Sequence, residues 1–210
     1  MYDKYKLMDI RAEERLIDIG QQWLKRGGVR GMKLRRICAE AELSPGTFTA
    51  YFPTLGEFKK RVLDSWYTPL QTEVKRIEKT EGSAMERLRT MLLSVMRFIR
   101  PNANVVIQLL LDASAGEQIA CDFIQTLQGN HIFAVRRALL EAQASGAIVQ
   151  APVEQQMFYL LGAVNMPVMF YHLLPENLPI GTSILDSLGD AVSEEMTLQR
   201  LDWALKGISL

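Results

Sequence analysis

Apolar positions recur every three to four residues along most of the chain, which is the period of an amphipathic α-helix. The pattern predicts helices over about residues 5–26, 54–77, 84–100, 105–113, 117–144, 153–174 and 182–206, with two short helices inside 34–52. A loop containing two prolines is predicted over residues 175–181. No segment shows the strict alternation of a half-buried strand. The chain is therefore predicted to be all-α, with about nine helices.

The stretch from Leu34 to Phe52 has the pattern of two short helices joined by a tight turn. Ser44 can accept an orphan backbone N–H of the second helix, and Pro45 suits its first position. The apolar residues that can close a small core between the two helices are Ile37, Ala41, Leu43, Phe48 and Phe52. The residues left largely outside that core are Pro45, Gly46, Thr47, Thr49, Ala50 and Tyr51. A helix that presents small and hydroxyl side chains can enter a DNA major groove, so sequence-specific DNA binding is the leading hypothesis.

Charge is unevenly distributed, although the formal net charge of the 210 residues is zero. Residues 1–65 carry a net charge of +4, and residues 66–210 carry −4. The basic residues between Ile19 and Ala39, where no acidic residue occurs, are Lys25, Arg26, Arg30, Lys33, Arg35 and Arg36. A basic cluster can be a solvated face only, but one that leads into a helix-turn-helix pattern favours phosphate contact.

Other chemistry is sparse. The two cysteines and the two histidines, His131 and His172, have no metal-ligand spacing, and no nucleophile elbow or phosphate loop accompanies them. We therefore expect neither an enzyme nor a bound cofactor or metal. The N-terminal residues do not form a signal peptide, so a cytoplasmic location is expected. The uncharged segment from Gln155 to Pro175 contains polar residues and is predicted to be a buried helix of a bundle, with no membrane span.

Residues 16–63 resemble the N-terminal domain of the TetR/AcrR-type, or tetracycline-repressor-like, transcriptional regulators. The matching positions are Leu16-Ile17, Gly28, Ile37-Cys38-Ala39, Ala41, Leu43 to Phe48 and Tyr51-Phe52-Pro53. The resemblance implies a helix-turn-helix domain over 1–53 and a helical ligand-binding and dimerisation domain over 54–210. It also implies a ligand-responsive regulator, usually a repressor, that binds a palindromic operator in double-stranded DNA as a homodimer. A small apolar or amphipathic effector would release it.

By the same resemblance, the helix around Pro45 to Tyr51 lies in the major groove. Thr47 would contact a base edge or a phosphate, Tyr51 would donate to a phosphate, and Gly46 would allow close approach. Hydroxyl groups suit both bases and phosphates. The complete set of predicted DNA-binding residues is Lys33, Arg35, Arg36, Ser44, Pro45, Gly46, Thr47, Thr49 and Tyr51.

Several positions depart from the family pattern. Met32, with Lys33 next, stands where Thr or Ser usually caps the supporting helix, and Glu42 stands at a turn position usually held by Gly. Thr49, followed by Ala50, replaces the common aromatic. The Lys that often opens the next helix is absent, which leaves Lys59 and Lys60 as later substitutes. Glu42, Thr49 and Ala50 motivate an alternative hypothesis, in which the chain is a helical ligand-binding or interaction protein with a degenerate DNA-reading surface.

The second half resembles the family's ligand-binding domain by architecture only. Methionines and aromatic residues of a helical core can enclose an apolar cavity, although ordinary core packing is the simpler interpretation. The predicted lining residues are Trp66, Met91, Val95, Phe98, Leu109, Phe123, Phe158 and Met169. The last two predicted helices are the expected dimer interface, and a two-fold dimer would place its two reading helices about one DNA turn, ~34 Å, apart.

Overall fold

The structure, a computed structural model, describes residues 2–128, 130–174 and 182–210, and the side chains of residues 12–127, 130–174 and 187–210. Within these residues the chain forms eleven α-helices and a 3₁₀ turn at Arg100–Asn102. The helices are α1 (Tyr2–Gly31), α2 (Leu34–Ala41), α3 (Pro45–Tyr51), α4 (Leu55–Glu78), α5 (Ala84–Ile99), α6 (Ala103–Ser114), α7 (Gln118–Gln128), α8 (His131–Ala144), α9 (Val153–Leu173), α10 (Thr182–Ala191) and α11 (Glu194–Ile208). The predicted all-α class is confirmed.

Local capping explains where several helices begin. Ser83 Oγ accepts the backbone N–H of Glu86 at 3.2 Å, and Glu86 Oε2 accepts the backbone N–H of Ser83 at 2.8 Å. This reciprocal capping box, which needs the Ser-x-x-Glu spacing of the two residues, opens α5. At the start of α4, Thr54 Oγ1 accepts the backbone N–H of Glu57 at 3.1 Å. Both starts agree with the helices predicted over 54–77 and 84–100, and each is set locally, by residues three apart in the sequence.

Three of the predicted helices differ in the structure. The helix predicted over 117–144 is divided into α7 and α8, and the helix predicted over 182–206 is divided into α10 and α11. The second division lies at Ser193, whose Oγ accepts the backbone N–H of Met196 at 3.2 Å and so begins α11. The first predicted helix leaves helical geometry at Gly27 and Gly28, as its predicted end near residue 26 requires, and α1 then continues beyond this kink to Gly31. The predicted loop at 175–181 lies outside the described residues.

The first compact unit consists of residues 1–69 and 105–126. Its described helices pack around fully buried side chains of α1, α2, α3 and α4, among them Leu16, Ile37, Phe48 and Phe58. A Cβ atom added at Gly20 would lie 2.3 Å from Cγ2 of Val62, so glycine is what allows α1 to approach α4 this closely. The unit therefore holds the predicted helix-turn-helix against two longer helices.

The second compact unit consists of residues 70–104 and 127–210. Within it α5 packs against α8, and α9 packs against α8 and α11. An isolated backbone bridge joins Ile148 to Ser209 beyond the ends of α8 and α11. Among the described residues, no helix has the length and apolar character needed to cross a membrane. These two units are defined by how the helices pack. The predicted division into a DNA-binding domain over 1–53 and a ligand-binding domain over 54–210 is a division by function, and it stays a prediction.

Candidate nucleic-acid interface

The N-terminus of α3 is capped by its own sequence. Ser44 Oγ accepts the backbone N–H of Thr47 at 3.0 Å and lies 2.9 Å from the hydroxyl oxygen of Thr47. Pro45 occupies the first turn, where a missing backbone N–H leaves no intrahelical hydrogen bond unmade. The Ser44 side chain thus caps the N-terminus of α3, and Thr47 lies beside Ser44 in the first turn of that helix.

One face of α3 is anchored by aromatic packing. The ring centroid of Phe48 lies 5.2 Å from that of Phe58 and 5.6 Å from that of Phe52, and the rings of Phe52 and Phe58 are 5.1 Å apart. All three side chains are buried. Because these rings hold one side of the helix in the core, the opposite side must face outward. The exposed residues of that side are Pro45, Gly46, Thr47, Thr49 and Ala50, and Tyr51 is half-buried.

The basic DNA-binding residues predicted at the start of α2 also lie on the surface. Lys33, Arg35 and Arg36 are all exposed. The guanidinium carbon of Arg36 lies 5.6 Å from the ring centroid of Trp23, a distance at which a cation is attracted to an aromatic face. Met32 is fully buried, and Lys33 takes the N-cap position of α2 without a side-chain capping hydrogen bond.

The two lysines considered as substitutes at the start of α4 differ sharply. Lys60 is exposed. Lys59 is buried, and its Nζ donates to Glu117 Oε1 at 3.2 Å, so its charge is paired inside the first unit. Lys59 is therefore not available for contact with a phosphate, because its side chain is buried and its charge is paired with Glu117.

The departures from the family pattern have structural consequences. Glu42 has φ 56° and ψ 37°, the left-handed conformation that ends α2. Its carboxylate is highly exposed and lies 3.6 Å from the guanidinium of Arg15. In α3, the hydroxyl of Thr49 donates to the backbone carbonyl of Gly46 at 2.9 Å. The region thus places a negative charge beside the candidate interface and turns one of its hydroxyl donors toward the helix backbone.

Comparisons with known proteins address the fold. No family model matches the chain, and no curated protein matches it. The TetR-family regulator PfmR of Thermus thermophilus superposes with a TM-score of 0.60 at 13% identity, covering 85% of this chain and 96% of that one. The chain has the TetR-family fold.

Two further solved structures share the TetR-family fold of this chain. FadR of Bacillus subtilis, in complex with stearoyl-CoA, has a TM-score of 0.65 at 16% identity, with 93% of this chain and 98% of that chain covered. The ketosteroid regulator KstR2 of Mycobacterium tuberculosis has a TM-score of 0.64 at 15% identity, with 94% and 95% covered. Identities this low establish the shared fold alone.

The residues predicted to line a ligand pocket are distributed over both units of the TetR-family fold. Trp66, Leu109 and Phe123 belong to the first unit and are buried, with the rings of Trp66 and Phe123 centred 6.2 Å apart. The members in the second unit are Met91, Val95, Phe98, Phe158 and Met169. Met91 and Val95 are buried, whereas Phe158 is 69% exposed.

The second unit contains a cavity that the sequence did not indicate. Its volume is about 490 Å³. Its lining residues are Met96, Arg97, Arg100, Pro101, Val168, Tyr171, His172, Gly189, Val192 and Glu194. None of the eight predicted lining residues is among them. Arg97 and Arg100 are one helical turn apart and precede Pro101, but no sequence signal indicated that the ends of α9 and α10 and the start of α11 would lie beside them.

Proposed function

We propose that this chain is a ligand-responsive, DNA-binding transcriptional regulator that acts as a repressor on a palindromic operator. The observation that carries the proposal is the arrangement of α3. Phe48 anchors one side of the helix in the core, while Pro45 to Thr47, Thr49 and Ala50 lie on the exposed side. A short helix that presents small and hydroxyl side chains can approach base edges in a major groove.

Phosphate contacts would come from exposed residues beside α3. Lys33 at the N-cap of α2 supplies positive charge together with Arg35 and Arg36 of that helix, and Arg36 is oriented by Trp23. Thr47 and Tyr51 would contribute hydroxyl groups, and Gly46 would let the backbone approach closely. Ser44 would act through the capping of α3, because its oxygen already accepts the backbone N–H of Thr47.

A homodimer through the last helices is the second part of the proposal. The helix α9 carries a stripe of exposed apolar residues along one face, formed by Phe158, Met166 and Phe170 at 69%, 57% and 55% exposure. Trp203 of α11, in the same unit, is 56% exposed. Apolar surface of this extent is typical of an interaction site. A second copy of the chain is the expected occupant, since a two-fold dimer would read the two halves of a palindrome.

A small apolar or amphipathic effector would control DNA binding. The cavity of about 490 Å³ in the second unit has the size of a small-molecule site, and Met96 and Val168 lie in its wall beside Arg97 and Arg100. The predicted lining residues, including Met91 and Phe123, stay a second candidate. The FadR structure with bound stearoyl-CoA is an example of an amphipathic ligand in this fold.

The decisive experiment measures binding of the purified protein to the DNA upstream of its own gene and to random-sequence duplex. Arg35→Ala and Thr47→Ala are compared with Lys79→Ala and Thr72→Ala, exposed residues of like chemistry outside the helix-turn-helix. We expect a salt-dependent preference for the upstream DNA, and Arg35→Ala should lower the salt slope by about 1. The absence of any preference in the wild-type protein would refute the proposal.

The alternative is a helical ligand-binding or interaction protein with a degenerate DNA-reading surface. It is motivated by the exposed carboxylate of Glu42 and by the Thr49 hydroxyl, which donates to the backbone of its own helix. In cells, Arg35→Ala and Thr47→Ala should then leave function unchanged, whereas loss of regulation would favour the regulator. Under either proposal we expect a protein that acts in the cytoplasm and catalyses no reaction.

A further inference from the structure

Asp112 of α6 has a buried carboxylate that accepts hydrogen bonds from backbone groups of α1, a helix far away in the sequence. Asp112 is only 5% exposed. Its Oδ2 accepts the backbone N–H of Val29 at 2.6 Å and that of Arg30 at 3.1 Å, and all three residues belong to the first compact unit. A buried carboxylate is costly unless it is hydrogen-bonded, and two charge-assisted hydrogen bonds to one oxygen meet that need.

The segment that Asp112 holds is the last turn of α1, which follows a kink at Gly27 and Gly28 and comes just before α2. Gly28 has φ 63° and ψ −164°, and the preceding Gly27 also leaves helical geometry. A Cβ atom at Gly28 would lie 2.4 Å from Asp112 Oδ2 and 3.3 Å from Cβ of Gln108, one turn earlier on α6. Glycine is therefore required here both by backbone conformation and by the closeness of α6.

A second carboxylate near the same end of α6 reaches α4. Glu117 Oε1 accepts from Lys59 Nζ at 3.2 Å, and Lys59 is itself buried. The backbone N–H of Glu117 donates to the carbonyl of Asp112 at 2.9 Å, so the two acidic residues are joined by the turn that ends α6. This turn therefore contacts the last turn of α1 through Asp112 and the first turns of α4 through Glu117.

We propose that Asp112 is a positioning residue for DNA reading, although it lies outside the predicted DNA-binding surface. Its hydrogen bonds to Val29 and Arg30 set where α2 begins, and α2 carries Arg35 and Arg36 and leads directly into α3. Loss of the carboxylate leaves the buried N–H of Val29 and the partly buried N–H of Arg30 without their acceptor, and the last turn of α1 must rearrange to satisfy them. This inference rests on the proposed DNA-binding function, which supplies the surface that is positioned.

The test compares Asp112→Ala with Asp112→Asn, which keeps an acceptor oxygen, and with Asp122→Ala as a matched control. Asp122 is an acidic residue of α7 in the same unit, and it accepts from Gln118 Nε2 at 2.7 Å on the surface. The DNA probe is the duplex that the wild-type protein selects from a randomised pool, and random-sequence duplex measures non-specific binding. Amide hydrogen exchange is followed at Val29 and Arg30, with Phe48 as an internal reference.

We expect Asp112→Ala to weaken binding to the selected duplex by about tenfold or more while non-specific binding changes little. Exchange at Val29 and Arg30 should accelerate, whereas exchange at Phe48 should not. Asp112→Asn should restore most of the specific affinity, and Asp122→Ala should behave as wild type. If the alanine variant does not fold, Asp112→Ser, which is too short to reach both amides, should show the same pattern.

The outcomes separate this inference from the proposed function. A wild-type protein that selects no sequence refutes the regulator and the positioning role together. A wild-type protein that selects a sequence, combined with a folded Asp112→Ala or Asp112→Ser variant of unchanged specific affinity, refutes the positioning role alone. Equal loss of specific and non-specific binding would also refute it, since it would indicate a general loss of the folded surface.

Discussion

At the scale of single residues, Glu42 shows how one side chain affects stability and charge separately. Its φ of 56° is unfavourable for a residue with a Cβ atom, by about 1 kcal/mol. Its carboxylate lies 3.6 Å from Arg15, but both side chains are more than half exposed, so this ion pair contributes little. The backbone cost and the charge can therefore be separated by two different substitutions.

Glu42→Gly should raise the free energy of unfolding by about 0.5–1 kcal/mol, because glycine adopts the left-handed conformation without strain. Glu42→Gln keeps the strain and removes only the charge, so its stability should stay within about 0.5 kcal/mol of wild type. Both variants should bind DNA more tightly at low salt. Urea unfolding and DNA titration check these expectations, and equal stabilisation by glycine and glutamine would contradict the backbone explanation.

His131, at the start of α8, predicts a dependence of stability on pH. Burial lowers its pKa from 6.5 to about 4. Between these values the unfolded chain binds a proton that the folded chain does not, so the free energy of unfolding falls as pH decreases from about 6.5 toward 4. Glu73, Glu86 and Glu154, whose pKa values are lowered from 4.5, add their losses at more acidic pH.

Urea unfolding at about pH 7 and about pH 5 isolates the histidine from these carboxylates. The wild-type protein should be less stable at the lower pH, and His131→Gln should reduce the difference. His172→Gln is the matched control, because His172 is exposed in the second unit. A pH dependence that follows His172 and not His131 would contradict the explanation from burial.

Residue-scale expectations from sequence succeeded where neighbours along the chain decide the outcome. The cap formed by Ser44 and the outward position of Thr47 follow from residues within one turn. The burial of Lys59 could not be predicted, because its partner Glu117 is brought close only by the packing of distant helices. The role of Asp112 was missed for the same reason, since its partners are backbone groups of a distant segment.

At the scale of elements, α2 begins without the side-chain cap that Thr or Ser would supply. Lys33 holds the N-cap position and makes no capping hydrogen bond. Lys33→Ser should therefore stabilise the fold by about 1 kcal/mol. The same change removes a candidate phosphate contact, so DNA affinity should fall and the salt slope should decrease by about 1.

Lys33→Ser is thus expected to raise stability and to lower DNA affinity, so the two effects can be measured separately. Lys25→Ser is the control for stability, since Lys25 is exposed within α1 and does not cap a helix. Thermal unfolding and DNA titration of both variants are the measurements. Stabilisation of both to the same extent would show that relief of positive charge, and not capping, is responsible.

A buried pair of amides stabilises the connection between α8 and α9. Gln143 Nε2 donates to Ala151 O at 2.7 Å and to Gln156 Oε1 at 2.9 Å, and Gln156 Nε2 donates to Val149 O at 2.8 Å. Both side chains are at most 8% exposed. Removal of one amide leaves the other without its buried hydrogen-bond partner, and this part of the cost is absent when both amides are removed.

Gln143→Leu and Gln156→Leu should each lower the free energy of unfolding by about 1–3 kcal/mol. The double variant should lose less than the sum, with a coupling of about 1 kcal/mol. Gln155→Leu, at an exposed position next to Gln156, should change stability little. Urea unfolding of the four variants provides the measurement, and strict additivity would show that the two amides do not act together.

Helix boundaries illustrate what sequence periodicity can and cannot provide. The apolar pattern of 182–206 continues across residue 193, so a single helix was predicted, although Ser193 followed by Glu194 and Glu195 is a helix start. In α9 apolar residues occur nearly all round, so periodicity did not reveal which side faces outward. Phe158 was therefore predicted to line a pocket, yet its side chain is exposed.

At the scale of the whole molecule, the fold could be predicted because the helix-turn-helix pattern is local and the remaining helices are strongly periodic. The cavity of about 490 Å³ could not, because its lining combines the end of α5 with α9, α10 and α11. Such a cavity depends on which helix faces meet, and that information is spread over the entire second unit.

The oligomeric state is a property of the whole molecule, and we expect a homodimer. The exposed stripe of Phe158, Met166 and Phe170 on α9, with Trp203 on α11, leaves apolar surface in contact with water. A stable dimer interface buries more than about 1,000 Å² in total, and aromatic residues at its centre contribute most of its energy. A charge placed there would have to be buried without a partner, so Phe158→Glu and Trp203→Glu should each yield monomers.

Sedimentation velocity and binding to full and half operators test this prediction together. The charged variants should sediment as folded monomers and lose the high affinity for the full palindrome while retaining weak binding to a half-site. Leu110→Glu is the matched control, because Leu110 is 48% exposed on α6 in the first unit and should leave the dimer intact. If both charged variants remained dimeric while the control dissociated, the interface would have to lie on the first unit. The palindrome would then be read through a different pairing of chains.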